Sequence, residues 1–227
     1  MVRVAVICEG KTERKFSDEL LKPHFANFGV ALESIEIGVD CLQHGGNVTF
    51  ARVLHDLGLL RPDYDVVTTL VDYFRLCDDW TGLASVSLGM NSSQQAEAVE
   101  SAAMGDAISR IPGVDVGSRF IPNVLMHEFE GLLFADPQAI VDVTRAHAAL
   151  EALSAVTLSF ASPEDINTGR NTAPSKRLKG LGANYGKIAH GSRIAEKIGL
   201  RALREKCPHF NAWLCRLEGL GTCCTER

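Results

Sequence analysis

The stretch Val2-Arg3-Val4-Ala5-Val6-Ile7-Cys8, followed at once by Glu9-Gly10-Lys11-Thr12-Glu13, decides the reading of the fold. Apolar or β-branched at nearly every position, Val2–Cys8 predicts a strand buried on both faces, the habit of parallel sheets. Thr12 reads as the cap of a helix carrying Phe16, Leu20 and Leu21, which Pro23 bends or ends. Residues 33–41 alternate as a half-buried strand, and Asn47 reads as the cap of a helix with Phe50, Val53, Leu54 and Leu57 on one face. Residues 65–74 form the third strand pattern, whose apolar run ends on Asp72. After a polar loop with Gly82, Gly89, Asn91 and Ser92, a helix of low apolar content is expected over residues 94–111. Residues 119–126 read as a fourth strand, at an edge or bulged because of Pro122. This alternation of strand and helix implies parallel pairing through right-handed crossovers.

From His127 onward the pattern is helical, over residues 127–134, 136–153, 192–207 and 208–217. Residues 162–184, rich in Pro, Gly, Asn and Lys, read as an ordered loop or small subdomain. The expectation is an α/β core over residues 1–135, a four-stranded parallel sheet flanked by helices, with a mainly helical extension over residues 136–227 packed on it. A chain of 227 residues suits that size. It holds no apolar run long enough to cross a bilayer, and MVRVAVICEG fails as a signal peptide, so a cytoplasmic protein is expected. The seven cysteines are odd in number and irregularly spaced, which suits reduced thiols. A zinc site from Cys207, His209, Cys223 and Cys224 can be drawn, but Cys-x-His is poor ligand spacing.

The net charge of −5 hides an asymmetry. Residues 1–169 carry 11 Lys+Arg against 24 Asp+Glu, whereas residues 170–206 carry 10 Lys+Arg against Glu196 and Glu205 alone. An acidic half beside a basic segment suits metal in one place and phosphate in the other; a solvated basic helix face is the plainer alternative. The acids fall where chemistry is expected, because ligands of open parallel sheets bind beyond the carboxyl ends of the strands. Glu9 follows strand one, Asp72 ends strand three with Asp78 and Asp79 close behind, and Glu128 and Glu130 follow strand four. One acid at a strand end is ordinarily a cap or a solvated loop, and Glu13, in the first turn of a helix, suits the helix dipole. Three clusters on one rim repel unless a cation or proton neutralises them, and oxygen ligands of this kind suit Mg²⁺ or Mn²⁺.

These residues carry a resemblance. Glu9-Gly10-Lys11-Thr12-Glu13, Val71-Asp72-Tyr73-Phe74 and His127-Glu128-Phe129-Glu130-Gly131-Leu132-Leu133-Phe134 are joined by Pro163-Glu164-Asp165-Ile166-Asn167 and Pro174-Ser175-Lys176-Arg177-Leu178. Tyr185-Gly186-Lys187 and Cys207-Pro208-His209-Phe210-Asn211-Ala212-Trp213-Leu214 complete the set, which spans nearly the whole chain. In this order they resemble an uncharacterised bacterial family with a TOPRIM-like domain, the domain shared by topoisomerases, primases and the overcoming-lysogenization-defect (OLD) nucleases. The resemblance implies a metal-dependent site in which Glu9 is metal ligand or general base. Asp72 would be the first acid of an Asp-x-Asp motif. The second acid position holds Phe74, so Asp78, Asp79, Glu128 or Glu130 must replace it. Glu130 is the first choice, since Glu128 and Glu130 cannot face the same way on a helix. The implied metal set is Glu9, Asp72, Glu130, Glu13 and Glu128.

In the basic segment Lys176 is the expected catalytic-side cation, with Lys187 and Arg177 as phosphate contacts. Tyr185 could stack on a base and His127 could be a ligand or base. No P-loop, nucleophile elbow or dinucleotide fingerprint occurs, so ATP binding is not expected. The expected function is a Mg²⁺-dependent nuclease or related phosphodiesterase acting on nucleic acid. The resemblance further implies an anti-phage module in which an ABC- or AAA-type ATPase encoded nearby is the partner. The alternative is a non-catalytic subunit that keeps the scaffold to bind that ATPase.

Overall fold

The computed structural model describes residues 1–38, 48–111, 115–167, 169, 172–180, 182 and 185–222. Strand β1 (Val2–Cys8) is central and pairs in parallel with β2 (Val30–Glu36) on one side and β3 (Val66–Asp72) on the other. Beyond β3 lie β4 (Phe120–Ile121) and β5 (Val124–Leu125), both parallel to it, so the order is β2-β1-β3-β4 with β5 continuing beside β3. The fourth strand of the sequence pattern is thus split at Pro122, which has no N–H for the ladder. Side chains of β3 fill the gap. Thr68 Oγ1 donates to the Ile121 carbonyl at 2.6 Å, and Thr69 Oγ1 donates to the Asn123 carbonyl at 2.7 Å.

The helices are α1 (Lys11–Phe16), α2 (Lys22–Ala26), α3 (Phe50–Leu60), α4 (Ser92–Arg110), α5 (Val116–Arg119), α6 (Glu130–Leu133), α7 (Pro137–Thr144), α8 (Leu150–Leu158), α9 (Pro174–Gly180), α10 (Lys187–Lys206) and α11 (Pro208–Thr222). They cover both faces of the sheet. Val4, Val6 and Cys8 of β1 face a core with Phe16, Phe129, Phe134, Phe210 and Trp213, whereas Ala5 and Ile7 face Phe50, Trp80 and Val99. The strand alternation of period two thereby feeds two hydrophobic layers, each fully withdrawn from water. This is an α/β fold with a parallel sheet flanked by helices and a mostly helical C-terminal part. Among the described residues no helix is long and apolar enough to cross a membrane.

Several boundaries differ from the sequence reading. The second strand runs over 30–36, ahead of the expected 33–41, because Gly29 turns the chain into it with φ 73°. Residues 39–41 and Asn47 lie outside the described residues, and α3 is capped by Thr49, whose side chain accepts from the Arg52 amide. Thr12 does not cap α1; Gly10 stands at that position and Thr12 is buried in the first turn. Pro23 does not end the helical run. A π-helical turn at Ser17–Leu21 precedes it, and Pro23 sits in the first turn of α2, where its missing N–H is harmless. The expected helix over 127–134 shortens to α6, and the one over 136–153 breaks at Arg145, whose φ of 59° is left-handed.

The helix expected from Ser192 begins instead at Lys187. Gly191 is the contact that lets α10 lie close to its neighbours. A Cβ added at Gly191 would stand 3.0 Å from Phe129 Cε1, 3.1 Å from Tyr185 Oη and 3.3 Å from Thr12 Cγ2. The helix therefore crosses close over α1 and α6 only because that side chain is absent. Gly191→Ala is expected to lower stability by about 1–3 kcal/mol through overpacking, whereas alanine in an open helix would raise it. Urea unfolding measures the difference, and an unchanged or raised midpoint would remove the close-approach account.

Candidate functional site

The carboxyl ends of β1, β3 and β5 open onto one point. Glu9 is the first residue after β1, Asp72 the last of β3, and Glu130 the first of α6, beyond the turn that follows β5. Glu13 comes from the first turn of α1 and Lys187 from the first residue of α10. The Lys187 ammonium lies 3.1 Å from Glu13 Oε1, 3.2 Å from Asp72 Oδ2 and 3.7 Å from Glu130 Oε2. Glu9 joins from the side, its Oε2 accepting the Asp72 amide at 3.1 Å and its Oε1 facing Arg75 Nε at 3.4 Å. All four acids are buried, with Glu13 and Glu130 each 1% exposed.

Burial and mutual repulsion set their protonation. Burial first, then the charge of Glu13, push the Glu9 carboxyl up to about 7, against Lys187, the Asp72 amide and Arg75. Asp72 is pushed well above the carboxylate range, again chiefly by burial, with Lys187 opposing and the other three acids adding. Glu130 is raised by burial as well, with Lys187 opposing. For Lys187 burial favours the neutral amine, but Asp72, Glu13, Glu130 and Glu9 outweigh it and hold the ammonium charged above its ordinary value. Tyr185 packs beside the cluster with its hydroxyl buried, and desolvation and Glu130 raise its pKa.

Hydrogen bonding divides the acids into two kinds. Asp72 Oδ1 accepts the Phe129 amide at 2.7 Å, which ties β3 to the turn before α6. Glu128 accepts both the Ser175 amide at 2.8 Å and its hydroxyl at 3.0 Å, and so holds the first turn of α9 rather than facing the cluster. By contrast Glu13 Oε1 and both oxygens of Glu130 are buried without a hydrogen bond. Native proteins leave few such oxygens, so each needs a cation or a proton to account for it. Hard carboxylate oxygens are of the type that Mg²⁺ or Mn²⁺ prefers. Among the described residues no three His, Cys, Asp or Glu side chains are arranged to hold a metal ion. At the point where the carboxylates converge stands the Lys187 ammonium.

The remaining expected residues separate as follows. Lys176 is exposed on α9, next to the Ser175 that Glu128 holds. Arg177 turns to structure, donating from Nε to the Thr172 carbonyl at 2.7 Å and covering the Phe160 ring. Asp78 is exposed, and Asp79 accepts the Ala51 amide at the start of α3, so neither replaces the acid missing at Phe74. Glu130 stands with the cluster instead. Phe74 is 39% exposed, and its amide donates to the His127 carbonyl at 3.1 Å. His127 itself has φ 64° and is held neutral by burial, its pKa lowered to about 4. Tyr185 is too buried to stack on a base. Sequence reasoning missed Arg75, which no local pattern singles out. It also did not anticipate that Lys187 would enter the carboxylate cluster.

The zinc arrangement does not form among the described residues. Cys207 is buried in the core and His209 Nε2 lies 2.9 Å from Glu100 Oε1, while Cys223 and Cys224 lie outside them. A cleft of about 340 Å³ between α4 and α11 is lined by Glu97, Glu100 and Arg216, and Glu100 is the acid that His209 faces. The carboxylate cluster, with its four buried acids, is the better site on chemistry.

The fold and this cluster define the class: a parallel α/β protein with four buried acids gathered on the carboxyl rim of its sheet. The chain belongs to the DUF4276 family, a domain of unknown function, which matches residues 8–218. Among solved structures it is similar to the C-terminal region of the Burkholderia pseudomallei OLD protein, at 17% identity over 97% of this chain and 99% of that one, with TM-score 0.49. It is also similar to the C-terminal region of the Xanthomonas campestris pv. campestris OLD protein, at 15% identity over 94% of each chain, with TM-score 0.38. No curated protein matches it.

The charge balance has a consequence for stability. Unfolded, Glu9 ionises near 4.5; folded, it keeps its proton to about 7. Between those values the folded protein holds a proton that the unfolded chain has released, so metal-free stability falls as pH rises through this window. Glu9→Gln is expected to flatten that fall and to be the more stable protein at pH 7.5 by on the order of 1–3 kcal/mol. Urea unfolding at pH 5 and pH 7.5 in a chelator checks this; identical pH dependence in both proteins would mean another group titrates.

Proposed function

We propose that this chain is a divalent-cation-dependent nuclease, cleaving phosphodiester bonds at the Glu9–Glu13–Asp72–Glu130 cluster. The observation that carries the reading is the convergence of four buried acids from separate elements, with oxygens of Glu13 and Glu130 lacking hydrogen bonds. The sequence resemblance to TOPRIM-like nucleases supports it by giving Glu9 and Asp72 the same roles. Asp72, Glu130 and Glu13 would hold Mg²⁺ or Mn²⁺, and the bound ion would supply charge stabilisation at the phosphate. Glu128 is left out of the ligand set because Ser175 occupies both its oxygens.

Glu9 is the proton acceptor in this reading. Its pKa of about 7 suits a general base at neutral pH, and its carboxylate lies beside the exposed Arg75 at the rim. Water would lose a proton to Glu9 as its oxygen attacks phosphorus. The bond from phosphorus to the leaving oxygen then breaks, that oxygen takes up a proton from solvent, and Glu9 releases its own to solvent. Arg75, exposed beside Glu9, is suited to a phosphate of the strand, and Lys176 is an exposed cation of α9. The ATPase partner and the anti-phage setting rest on the sequence resemblance alone.

A second reading has its own observation. Lys187 already supplies one positive charge to the cluster, as a permanent structural counter-ion in a non-catalytic scaffold would. Activity separates the two. Labelled single- and double-stranded DNA and RNA are incubated with Mn²⁺ or Mg²⁺, with and without the neighbouring ATPase. Glu9→Gln is expected to slow cleavage by about 10²–10⁴-fold with an unchanged circular dichroism spectrum, and Asp72→Asn to do at least as much damage. Wild-type rates in the double variant would sink the catalytic assignment.

A further inference from the structure

We propose that Lys187 is an exchangeable counter-ion: its ammonium occupies the cation position in the metal-free protein and is expelled when a divalent ion binds. The inference rests on the cation-dependent reading above and goes beyond it by assigning the metal-free state of the site and the order of events. Three acids from three elements share this one ammonium, at 3.1, 3.2 and 3.7 Å. The same ammonium serves Glu13, Asp72 and Glu130 together, and the oxygens of Glu130 and Oε1 of Glu13 have no hydrogen bond of good geometry. The ammonium holds the cluster together without satisfying it.

A divalent ion held by these oxygens would draw on the same three carboxylates that Nζ faces at 3.1–3.7 Å, so ion and ammonium would stand close together. Two like charges at such separation repel strongly in a poorly hydrated site. Lys187 is built to leave. It is the first residue of α10, its side chain is 35% exposed although the acids around it are at most 2% exposed, and an ammonium on a four-carbon stem moves by rotamer change alone. The close packing at Gly191, one turn along, keeps the helix itself in place while the side chain swings. Expelled toward the rim, the ammonium reaches the side on which a phosphate of the strand would lie. Cation entry would thus precede and promote substrate engagement.

The test is calorimetric titration of Mn²⁺ into wild-type protein and Lys187→Met, with amine acetylation of the wild type followed by mass spectrometry. Lys187→Met is expected to bind Mn²⁺ at least about tenfold more tightly, because no ammonium competes. In the wild type, saturating Mn²⁺ is expected to raise acetylation of Lys187 several-fold while the exposed Lys11 is unchanged. The labelling arm stands even where Lys187→Met fails to fold. Equal or weaker Mn²⁺ binding by a folded Lys187→Met, or Lys187 labelling unmoved at saturating Mn²⁺, overturns the exchange and leaves the cation-dependent reading intact. No Mn²⁺ binding by either protein overturns both.

Discussion

The ammonium of Lys187 among Glu9, Glu13, Asp72 and Glu130 is the interaction on which the other features of the site depend. A parallel sheet delivers the ends of its strands to one rim, and this sequence places an acid at each of three such ends. Burying four carboxyl groups together is unfavourable by desolvation and by repulsion, and the raised pKa values of Glu9, Asp72 and Glu130 record both. One ammonium relieves part of that cost. It also links α10 to α1, β3 and α6, so the C-terminal helices and the sheet meet through charge as well as through apolar packing.

Around this centre, hydrogen bonds to carboxylates act as joints. The Glu9 side chain receives the Asp72 amide, Asp72 receives the Phe129 amide, and Glu164 receives the His209 and Phe210 amides at the start of α11. Each such acid satisfies backbone donors that would otherwise be buried without partners. Glu128 does the same for α9. Acids used this way orient elements, whereas Glu13 and Glu130 face the Lys187 ammonium. His127 serves the same design. Its left-handed backbone turns the chain after β5, and Glu128 and Glu130 then point to different partners.

Much of this was legible one residue at a time. The near-continuous apolar runs of β1 and β3 declare a parallel buried sheet, and an acid directly after each run declares the rim. Pro122 announces the break in the fourth strand. Helix limits were less legible where two rules competed. Pro23 reads as a bend or an end, yet a π-helical turn precedes it and the helical run continues through it. Arg145, which ends α7, carries no sequence sign of its left-handed conformation.

The sequence by itself determined the order of elements, the parallel sheet and the placing of Glu9, Asp72 and Glu130 near its carboxyl edge. Those follow from local periodicity, which is a property of neighbouring residues. Only the tertiary structure decided that Glu13 joins them, that Glu128 leaves to cap α9, and that Lys187, 115 residues beyond Asp72, becomes their counter-ion. Such pairings join positions far apart in the chain. They depend on how closely α10 can approach α1 and α6, which the absent side chain of Gly191 and the shapes of Phe129 and Tyr185 control.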